Sequence, residues 1–205
     1  VVERRTEWLT ESGVRFNLNK EVGKHISFQE LEKDYDAILV ATGVYKARQL
    51  DIETKNIENS LPALDFLIES NRVGLGDTPS KNKYLDAKDK HVVVIGGGDT
   101  AMDCVRTAIR QKAKEVTCLY RRNKENMPGS AREVLNAEQE GVKFNWLSVP
   151  SKIISQDTSA SSLAYKVAAL GEADETGRRK PIDTGVEKQI KSDLIIQALG
   201  FEPEN

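Results

Sequence analysis

An apolar segment that runs directly into three consecutive glycines constrains the fold of this chain more than any other feature. Residues 91–95 have the most apolar strand pattern in the sequence, and Gly96, Gly97 and Gly98 follow at once. Apolar residues then recur at helical spacing, and residues 115–120 form a second apolar strand. A strand, a glycine turn, a helix and another strand make a β-α-β unit. The sequence therefore predicts an α/β fold built on a parallel sheet.

The glycine turn has the G-x-G-x-x-A spacing of a dinucleotide-binding fingerprint. The first glycine permits a tight turn, the second lets the backbone approach a pyrophosphate, and the small third residue lets the helix pack on the strand. Free N–H groups and the positive end of the helix dipole at residues 100–103 would face that diphosphate. A glycine turn with a purely structural role is the alternative. We predict a Rossmann-like domain whose coenzyme lies against Gly96, Gly97, Gly98, Asp99, Thr100 and Ala101.

Asp99 is an acidic residue beside the predicted diphosphate site. A carboxylate at the first positions of a helix accepts hydrogen bonds from free backbone N–H groups and interacts favourably with the helix dipole. Capping of the helix is therefore the role expected for Asp99.

Two arginines stand where the second strand of the β-α-β unit ends. An NAD-binding unit usually places an acidic side chain there, roughly 20 residues beyond the glycines, to hold the ribose 2′-hydroxyl. This chain has Arg121 and Arg122 instead. Guanidinium groups match the geometry of a 2′-phosphate, and each charge-assisted bond contributes about 1.5–3 kcal/mol. A solvated strand end is the alternative, but the pair favours NADP(H) over NAD(H).

The remaining secondary structure is predicted from hydrophobic periodicity and from glycine positions. The predicted helices span residues 1–12, 27–33, 61–71 and 130–140. Ser130 and Glu133 would form a capping box at the start of the last one. The predicted single strands span residues 14–18, 37–40, 142–146 and 194–199. An antiparallel hairpin is predicted from two strands and a tip, at residues 163–170, 184–190 and 174–179.

The sequence also contains an internal echo. Residues 11–17 resemble residues 139–145, and residues 36–43 resemble residues 193–200 in the same order. The second copy lies downstream of the glycine turn, whereas the first copy has no such turn before it. We interpret the first copy as a unit that lacks its front half. A chance resemblance between helix-to-strand junctions is the alternative.

Composition argues against several other functions. Thirty basic and 32 acidic residues give a net charge of −2, which offers no field for nucleic acid or for an anionic membrane. No stretch reaches the roughly 20 apolar residues that span a bilayer. Cys104 and Cys118 form neither a C-x-x-C motif nor a Cys/His cluster, so we predict no metal site and a reducing, cytoplasmic location. No nucleophile or acid–base set stands out, and no catalytic residue is predicted.

Three motifs give the chain a resemblance to a known family. They are VVIGGGDTAMD at residues 93–103, LYRR at residues 119–122 and ENMPGS at residues 125–130. Together they resemble the small (beta) subunits of NADPH-dependent glutamate synthase. Relatives that share this flavoprotein module include dihydropyrimidine dehydrogenase and NADPH:ferredoxin oxidoreductase-type subunits. The resemblance covers nearly all of the chain and implies two nested domains, with the NADPH domain inserted into an FAD-binding domain.

The resemblance also implies roles for particular residues. Diphosphate binding would fall to residues 96–101 and 2′-phosphate binding to Arg121 and Arg122. Nicotinamide-side contacts would come from Ala198, Leu199 and Gly200, and FAD would be bordered by Ala41, Thr42 and Gly43. The implied domains are a partial FAD-domain flank, a crossover and linker, an NADP(H)-binding core and a return toward the FAD domain, at residues 1–47, 48–90, 91–200 and 201–205.

We expect this chain to be part of an NADPH-dependent FAD oxidoreductase of the glutamate synthase small-subunit type. In the intact enzyme NADPH would reduce FAD, and electrons would pass through iron-sulfur centres to the large (alpha) subunit or to another electron acceptor. The family's cysteine-rich region and FAD segments have no counterpart here, so FAD and iron-sulfur clusters are expected only in the full-length protein. The chain itself should bind coenzyme without turnover. A stand-alone NADP(H)-binding sensor or interaction module is the alternative.

Overall fold

A computed structural model describes residues 2–53, 56–82, 85–175, 177 and 179–203. The chain divides into two compact units, Val1–Gly43 and Val44–Asn205. None of the helices in the described ranges combines the length and the apolar character that a membrane crossing requires.

The first unit contains two short helices, α1 (Val2–Glu11) and α2 (Phe28–Asp34). Gly13 follows α1 with a φ of 96°, the left-handed conformation that commonly ends helices. Both helices were predicted and both are confirmed. A capping box that the sequence analysis did not identify begins α2: Glu30 N donates to Ser27 Oγ at 3.2 Å, and Ser27 N donates to Glu30 Oε2 at 2.8 Å.

The two strands predicted in the first unit are not formed. Residues 14–18 and 37–40 are irregular or turn-like, and Leu39 is 90% exposed. A strand is stabilised by hydrogen bonds to another strand beside it. Among the described residues of this unit, the structure has only an isolated bridge between Val22 and Ile26. The prediction of a buried strand at residues 37–40 is therefore wrong for this chain.

The second unit alternates strands and helices. In chain order its elements are β1 (Lys46–Ala47), β2 (Ser60–Pro62), α3 (Ala63–Gly74), β3 (His91–Ile95), α4 (Asp99–Arg110), β4 (Glu115–Leu119), α5 (Ala131–Gln139), β5 (Lys143–Asn145), β6 (Ser148–Gln156), β7 (Ser159–Ala173), β8 (Arg179–Lys191), β9 (Leu194–Gln197) and β10 (Phe201–Glu202). A 3₁₀ turn, Lys124–Asn126, lies between β4 and α5.

Five of these strands form a parallel sheet in the order β2-β9-β3-β4-β5. This confirms the predicted α/β fold, and β3 has the predicted bounds. The helix α3 begins two residues later than predicted, because residues 60–62 pair with β9 as β2. Both β2 and α3 lie in the segment 48–90, which the resemblance assigned to a crossover and linker, and β2 is hydrogen-bonded into the sheet.

A second sheet is antiparallel and has the order β6-β7-β8. The predicted hairpin is confirmed as β7 and β8, which extend beyond the predicted bounds toward the tip. The strand β6 was not predicted. Its pairing with β7 shifts register between Pro150 and Lys152, and such an irregularity breaks the alternation of apolar and polar residues that identifies a strand.

Apolar side chains cover both faces of the parallel sheet. On one face the three helices of the second unit contribute residues such as Phe66 and Val105, which are fully buried. On the other face Leu163 of the antiparallel sheet lies in one cluster with Val93 and Ile195. The result is a three-layer arrangement in which β3 is covered on both faces, as its continuous apolar sequence predicts.

The capping box predicted at the start of α5 is not formed. Ser130 is the N-cap residue, but its side chain makes no capping hydrogen bond. Glu133 is instead bonded to Arg106 of α4, and the Arg106 Nε atom also donates to Glu140 at 2.8 Å. This bond from Arg106 lowers the pKa of the Glu140 carboxyl. Charge-assisted bonds to a guanidinium are stronger than neutral ones, so the contact between the two helices replaces the local cap.

Candidate functional site

The three glycines after β3 differ in what surrounds them. Gly96 has a φ of 146°, and a Cβ at this position would lie 2.1 Å from the carbonyl oxygen of Ala198. A Cβ at Gly97 would lie 2.4 Å from the ring of Tyr120. A Cβ at Gly98 would meet nothing within 4 Å. Close packing therefore requires glycine at positions 96 and 97. Gly98, the second glycine of the fingerprint, leaves its backbone open to a ligand, as the fingerprint predicts.

The start of α4 presents free hydrogen-bond donors beside this opening. Ala101 N and Met102 N donate to the carbonyl oxygen of Gly98 at 2.9 and 3.2 Å. Within the described residues, the N–H groups of Gly98, Asp99 and Thr100 have no backbone acceptor, as is usual for the first turn of a helix. Ala101 is fully buried against the core. The structure thus places the six predicted residues, 96–101, in one turn with donors suited to an anion.

Neighbouring strands hold the turn in place. Gly96 N donates to the Leu119 carbonyl oxygen at 3.1 Å, and the Cys118 thiol donates to the Gly96 carbonyl oxygen at 3.3 Å. Burial raises the pKa of Cys118 to about 12 and also raises the pKa of Cys104. Buried thiols that stay protonated are poor nucleophiles, so both cysteines serve packing rather than redox chemistry.

Asp99 does not cap its own helix. Its Oδ1 atom accepts a hydrogen bond of 2.8 Å from Ser130 N, at the N-cap of α5. Beside this bond, Gly129 N donates to the Gly97 carbonyl oxygen at 2.9 Å. Asp99 therefore accepts from a backbone N–H at the start of α5. The prediction that it caps its own helix, α4, is wrong.

The two arginines come after β4, which is the strand next to β3, and lie at the carboxyl edge of the sheet. Arg121 is exposed. Arg122 is half-buried, and its Nε atom donates to the Arg179 carbonyl oxygen of β8 at 2.8 Å. Leu147 N also donates to the Arg122 carbonyl oxygen at 3.0 Å. One guanidinium is thus held by the antiparallel sheet, and the other makes no hydrogen bond or ion pair within the part of the chain that the structure describes.

The residues after β9 lie on the opposite side of the glycine turn from the arginines, because β3 pairs with β9 on one side and with β4 on the other. Ala198 N donates to the Ile95 carbonyl oxygen at 2.8 Å. Gly200 has a φ of 84°, and its carbonyl oxygen accepts a bond of 3.0 Å from Arg48 N. Leu199 stands between them and packs against the apolar cluster under the antiparallel sheet.

Ala41, Thr42 and Gly43 belong to the first unit. They are exposed and lie outside any strand, and Gly43 has a φ of 72°. The glycine turn and these three residues are therefore parts of different units.

Sequence reasoning included Tyr120 and residues 125–130 in the family motifs but gave them no role at the site. The buried Tyr120 ring lies against Gly97, and its hydroxyl donates to the Asn126 carbonyl oxygen at 2.9 Å. Gly129 also packs closely, since a Cβ there would lie 3.0 Å from the Gly97 carbonyl oxygen. The available signal was the glycine after Pro128, because a glycine in a loop often marks a close backbone approach.

Across the described part of the chain, no group of three or more His, Cys, Asp or Glu side chains is arranged to hold a metal ion.

Comparison with known proteins decides the family. The family described as pyridine nucleotide-disulphide oxidoreductase matches residues 2–205. The chain belongs to this family. It is therefore part of an oxidoreductase family that uses pyridine nucleotides, as the glycine turn predicts.

Individual relatives agree with the family assignment. The chain is 51% identical over 208 residues to the glutamate synthase [NADPH] small chain of Azospirillum brasilense, covering 100% of this chain and 43% of the relative. It is 42% identical to the same protein of Escherichia coli, covering 100% and 44%. The chain thus spans less than half the length of these relatives. In fold it is similar to Mycobacterium tuberculosis FprA in complex with NADPH, with a TM-score of 0.71, 18% identity and coverage of 91% and 55%.

Proposed function

We propose that the second unit binds NADPH and selects it over NADH, as the electron-donor site of a longer oxidoreductase of the glutamate synthase small-chain type. The observation that carries this proposal is the glycine turn. Its third glycine faces open space, and free N–H groups surround it. Two arginines follow the adjacent strand. A diphosphate and a 2′-phosphate are the two anionic groups of NADPH, and the site offers donors for both.

The residues present fit this coenzyme. The N–H groups of residues 98–100 would hold the diphosphate, since a helix N-terminus favours negative charge. Arg121 and Arg122 would hold the 2′-phosphate. Ala198–Gly200, on the other side of β3, would face the nicotinamide end. Bound NADPH supplies a hydride, and the protein's task is to bind and orient it.

FAD, iron-sulfur clusters and a large subunit are proposed as parts of the longer protein and its assembly. They are expected from the similarity to glutamate synthase small chains. Residues 41–43, predicted to border FAD, are exposed in this structure, and their role beside FAD stays a prediction. The nested domain limits, a cytoplasmic location and glutamate synthesis as the final use of the electrons stay predictions of the same kind.

Titration calorimetry with NADPH and NADH tests the proposal on the 205-residue chain. We expect clear preference for NADPH in the wild type. Replacing Arg121 and Arg122 together by Glu should weaken NADPH binding by about a hundredfold, because two charge-assisted bonds are lost. NADH binding should weaken by less than about threefold, because its ribose has no phosphate to lose.

A matched control is the pair Lys112→Glu and Lys114→Glu. These exposed lysines precede β4 and lie at the opposite end of that strand from the arginines, yet the change in net charge is the same. The control should leave both affinities close to wild type. Equal losses of NADPH and NADH in the arginine variant would remove the 2′-phosphate assignment. Absence of any coenzyme binding by the wild type would remove the function.

A further inference from the structure

The segment 121–130 is a strap that begins with the two arginines and ends at the N-cap of α5. Hydrogen bonds fasten its second half to the glycine-turn region. Just past the middle of the strap, the Tyr120 hydroxyl donates to the Asn126 carbonyl oxygen at 2.9 Å. At its far end, Gly129 N donates to the Gly97 carbonyl oxygen at 2.9 Å, and Ser130 N donates to Asp99 Oδ1 at 2.8 Å.

Of these fastenings, the bond to Asp99 is the one made by a charged side chain of the fingerprint. A carboxylate at this place repels a diphosphate bound at the same turn, because like charges at close range disfavour binding. The helix dipole offsets part of this cost. The bond to Ser130 N gives the side chain a function that an apolar residue or a lysine could not supply.

We infer that Asp99 is a positioning residue for coenzyme selection: it holds the end of the strap so that Arg121 and Arg122 stay beside the ribose site. This inference rests on the proposed NADPH function. Asp99 acts through the strap and not by touching the coenzyme. Its hydrogen bond should therefore affect NADPH, which uses the arginines, more than NADH, which does not.

The burial and contacts of the arginines support this role. Arg121 is exposed, and within the described residues its guanidinium makes no hydrogen bond or ion pair. Arg122 has one guanidinium bond, to the Arg179 carbonyl oxygen. Placement of these side chains depends on the backbone that carries them. That backbone is held at Arg122 by the bond from Leu147 N, and further along the strap by the bonds to Tyr120 and Asp99.

The experiment measures the ratio of the dissociation constants for NADH and NADPH in the 205-residue chain. In Asp99→Ala the acceptor is lost, and the ratio should fall about fivefold, which is less than the loss of a direct charge-assisted bond to the coenzyme because Asp99 acts through the strap. In Asp99→Asn the amide oxygen can still accept from Ser130 N. Loss of the charge should then tighten both coenzymes alike and leave the ratio within about twofold of wild type.

Two further variants separate charge from anchoring. Asp65→Ala removes an exposed carboxylate from the first turn of another helix, α3, without touching the strap or the glycine turn, and the ratio should stay unchanged. Tyr120→Phe removes the other fastening without changing charge, and the ratio should fall. Thermal melts of Asp99→Ala and Tyr120→Phe establish that both variants are folded.

Hydrogen exchange gives a readout that does not depend on coenzyme. The amides of residues 123–130 should exchange faster in Asp99→Ala than in wild type or Asp99→Asn. Faster exchange with a changed ratio supports the inference. An unchanged ratio in Asp99→Ala, an equal fall in Asp99→Asn, or unchanged exchange overturns it, while the proposed function stands as long as the wild type prefers NADPH.

Discussion

Two segments of similar sequence have opposite environments in this protein. Residues 36–43 read DAILVATG and residues 193–200 read DLIIQALG. The second contains β9, the strand between β2 and β3, and Ile196 in it is fully buried. The corresponding residue of the first segment, Leu39, is 90% exposed and belongs to no strand. The comparison shows that an apolar run becomes a strand when hydrogen-bonding strands stand beside it.

The contacts around β9 show what the first segment lacks. Asn59, just before β2, is almost fully buried, and its side chain donates to the Ala160 and Asp193 carbonyl oxygens at 2.9 and 3.0 Å. Its Oδ1 atom accepts from Ala160 N, and its backbone carbonyl accepts from Ile195 N at 2.8 Å. The Asn59 side chain thus links the residue before β9, in the parallel sheet, to β7 of the antiparallel sheet. The sequence of residues 193–200 does not by itself specify Asn59 as a partner.

The largest expected effect comes from truncating matched residues of the two segments. Ile196→Ala should lower the free energy of unfolding of the second unit by about 2–5 kcal/mol, because a buried side chain is replaced by a cavity. Leu39→Ala, the control, should change it by less than about 0.5 kcal/mol. Urea unfolding followed by Trp146 fluorescence, in a Trp8→Phe background, measures the second unit. Similar losses in both variants would show that residues 36–43 are buried in solution.

Removal of the Asn59 amide should have the next largest effect. Asn59→Ala leaves the Ala160 and Asp193 backbone groups without their partner in a buried place, and each unsatisfied group costs about 1–3 kcal/mol. We expect a total loss of about 2–4 kcal/mol in the same urea experiment. Asn71→Ala, on the exposed surface of α3, is the control and should be close to neutral. A near-neutral Asn59→Ala would mean that the two sheets hold β9 without this side chain.

The same distinction explains which parts of the fold and the site could be predicted. The strand β3 and the glycine turn were predictable because apolar periodicity and the G-x-G-x-x-A spacing are local signals. Residues 37–40 have a local apolar pattern as clear as that of β9. Whether such a pattern forms a strand depends on neighbouring strands that are far away in sequence. Glu133 had the spacing of a capping box, yet it binds Arg106 on another helix. Asp99 likewise bonds across 31 positions to Ser130. Side-chain partners of this kind are settled by tertiary packing.

The smallest expected effect concerns pH and the aspartate that begins each segment. Burial of the Asp193 carboxyl opposes its ionisation, but hydrogen bonds from the His91 backbone N–H and ring outweigh it, so the pKa of Asp193 lies below its usual value. A carboxyl whose pKa is lowered by folding stabilises the fold above the unfolded pKa. That contribution is lost as the pH falls through the lower, folded pKa. Because this side chain is 39% exposed, we expect less than about 1 kcal/mol.

Asp193→Asn isolates the contribution of Asp193 ionisation to the free energy of unfolding. The amide oxygen can still accept from the His91 backbone, but the side chain cannot titrate. Between pH 6 and pH 3 the wild type should lose more unfolding free energy than Asp193→Asn, and the difference should appear only in the acidic part of that range. Asp36→Asn, at the corresponding position of the exposed segment, should follow the wild-type curve. If Asp193→Asn ran parallel to the wild type at every pH, the bonds to His91 would carry no net electrostatic benefit. The buried and exposed copies would then differ in packing alone.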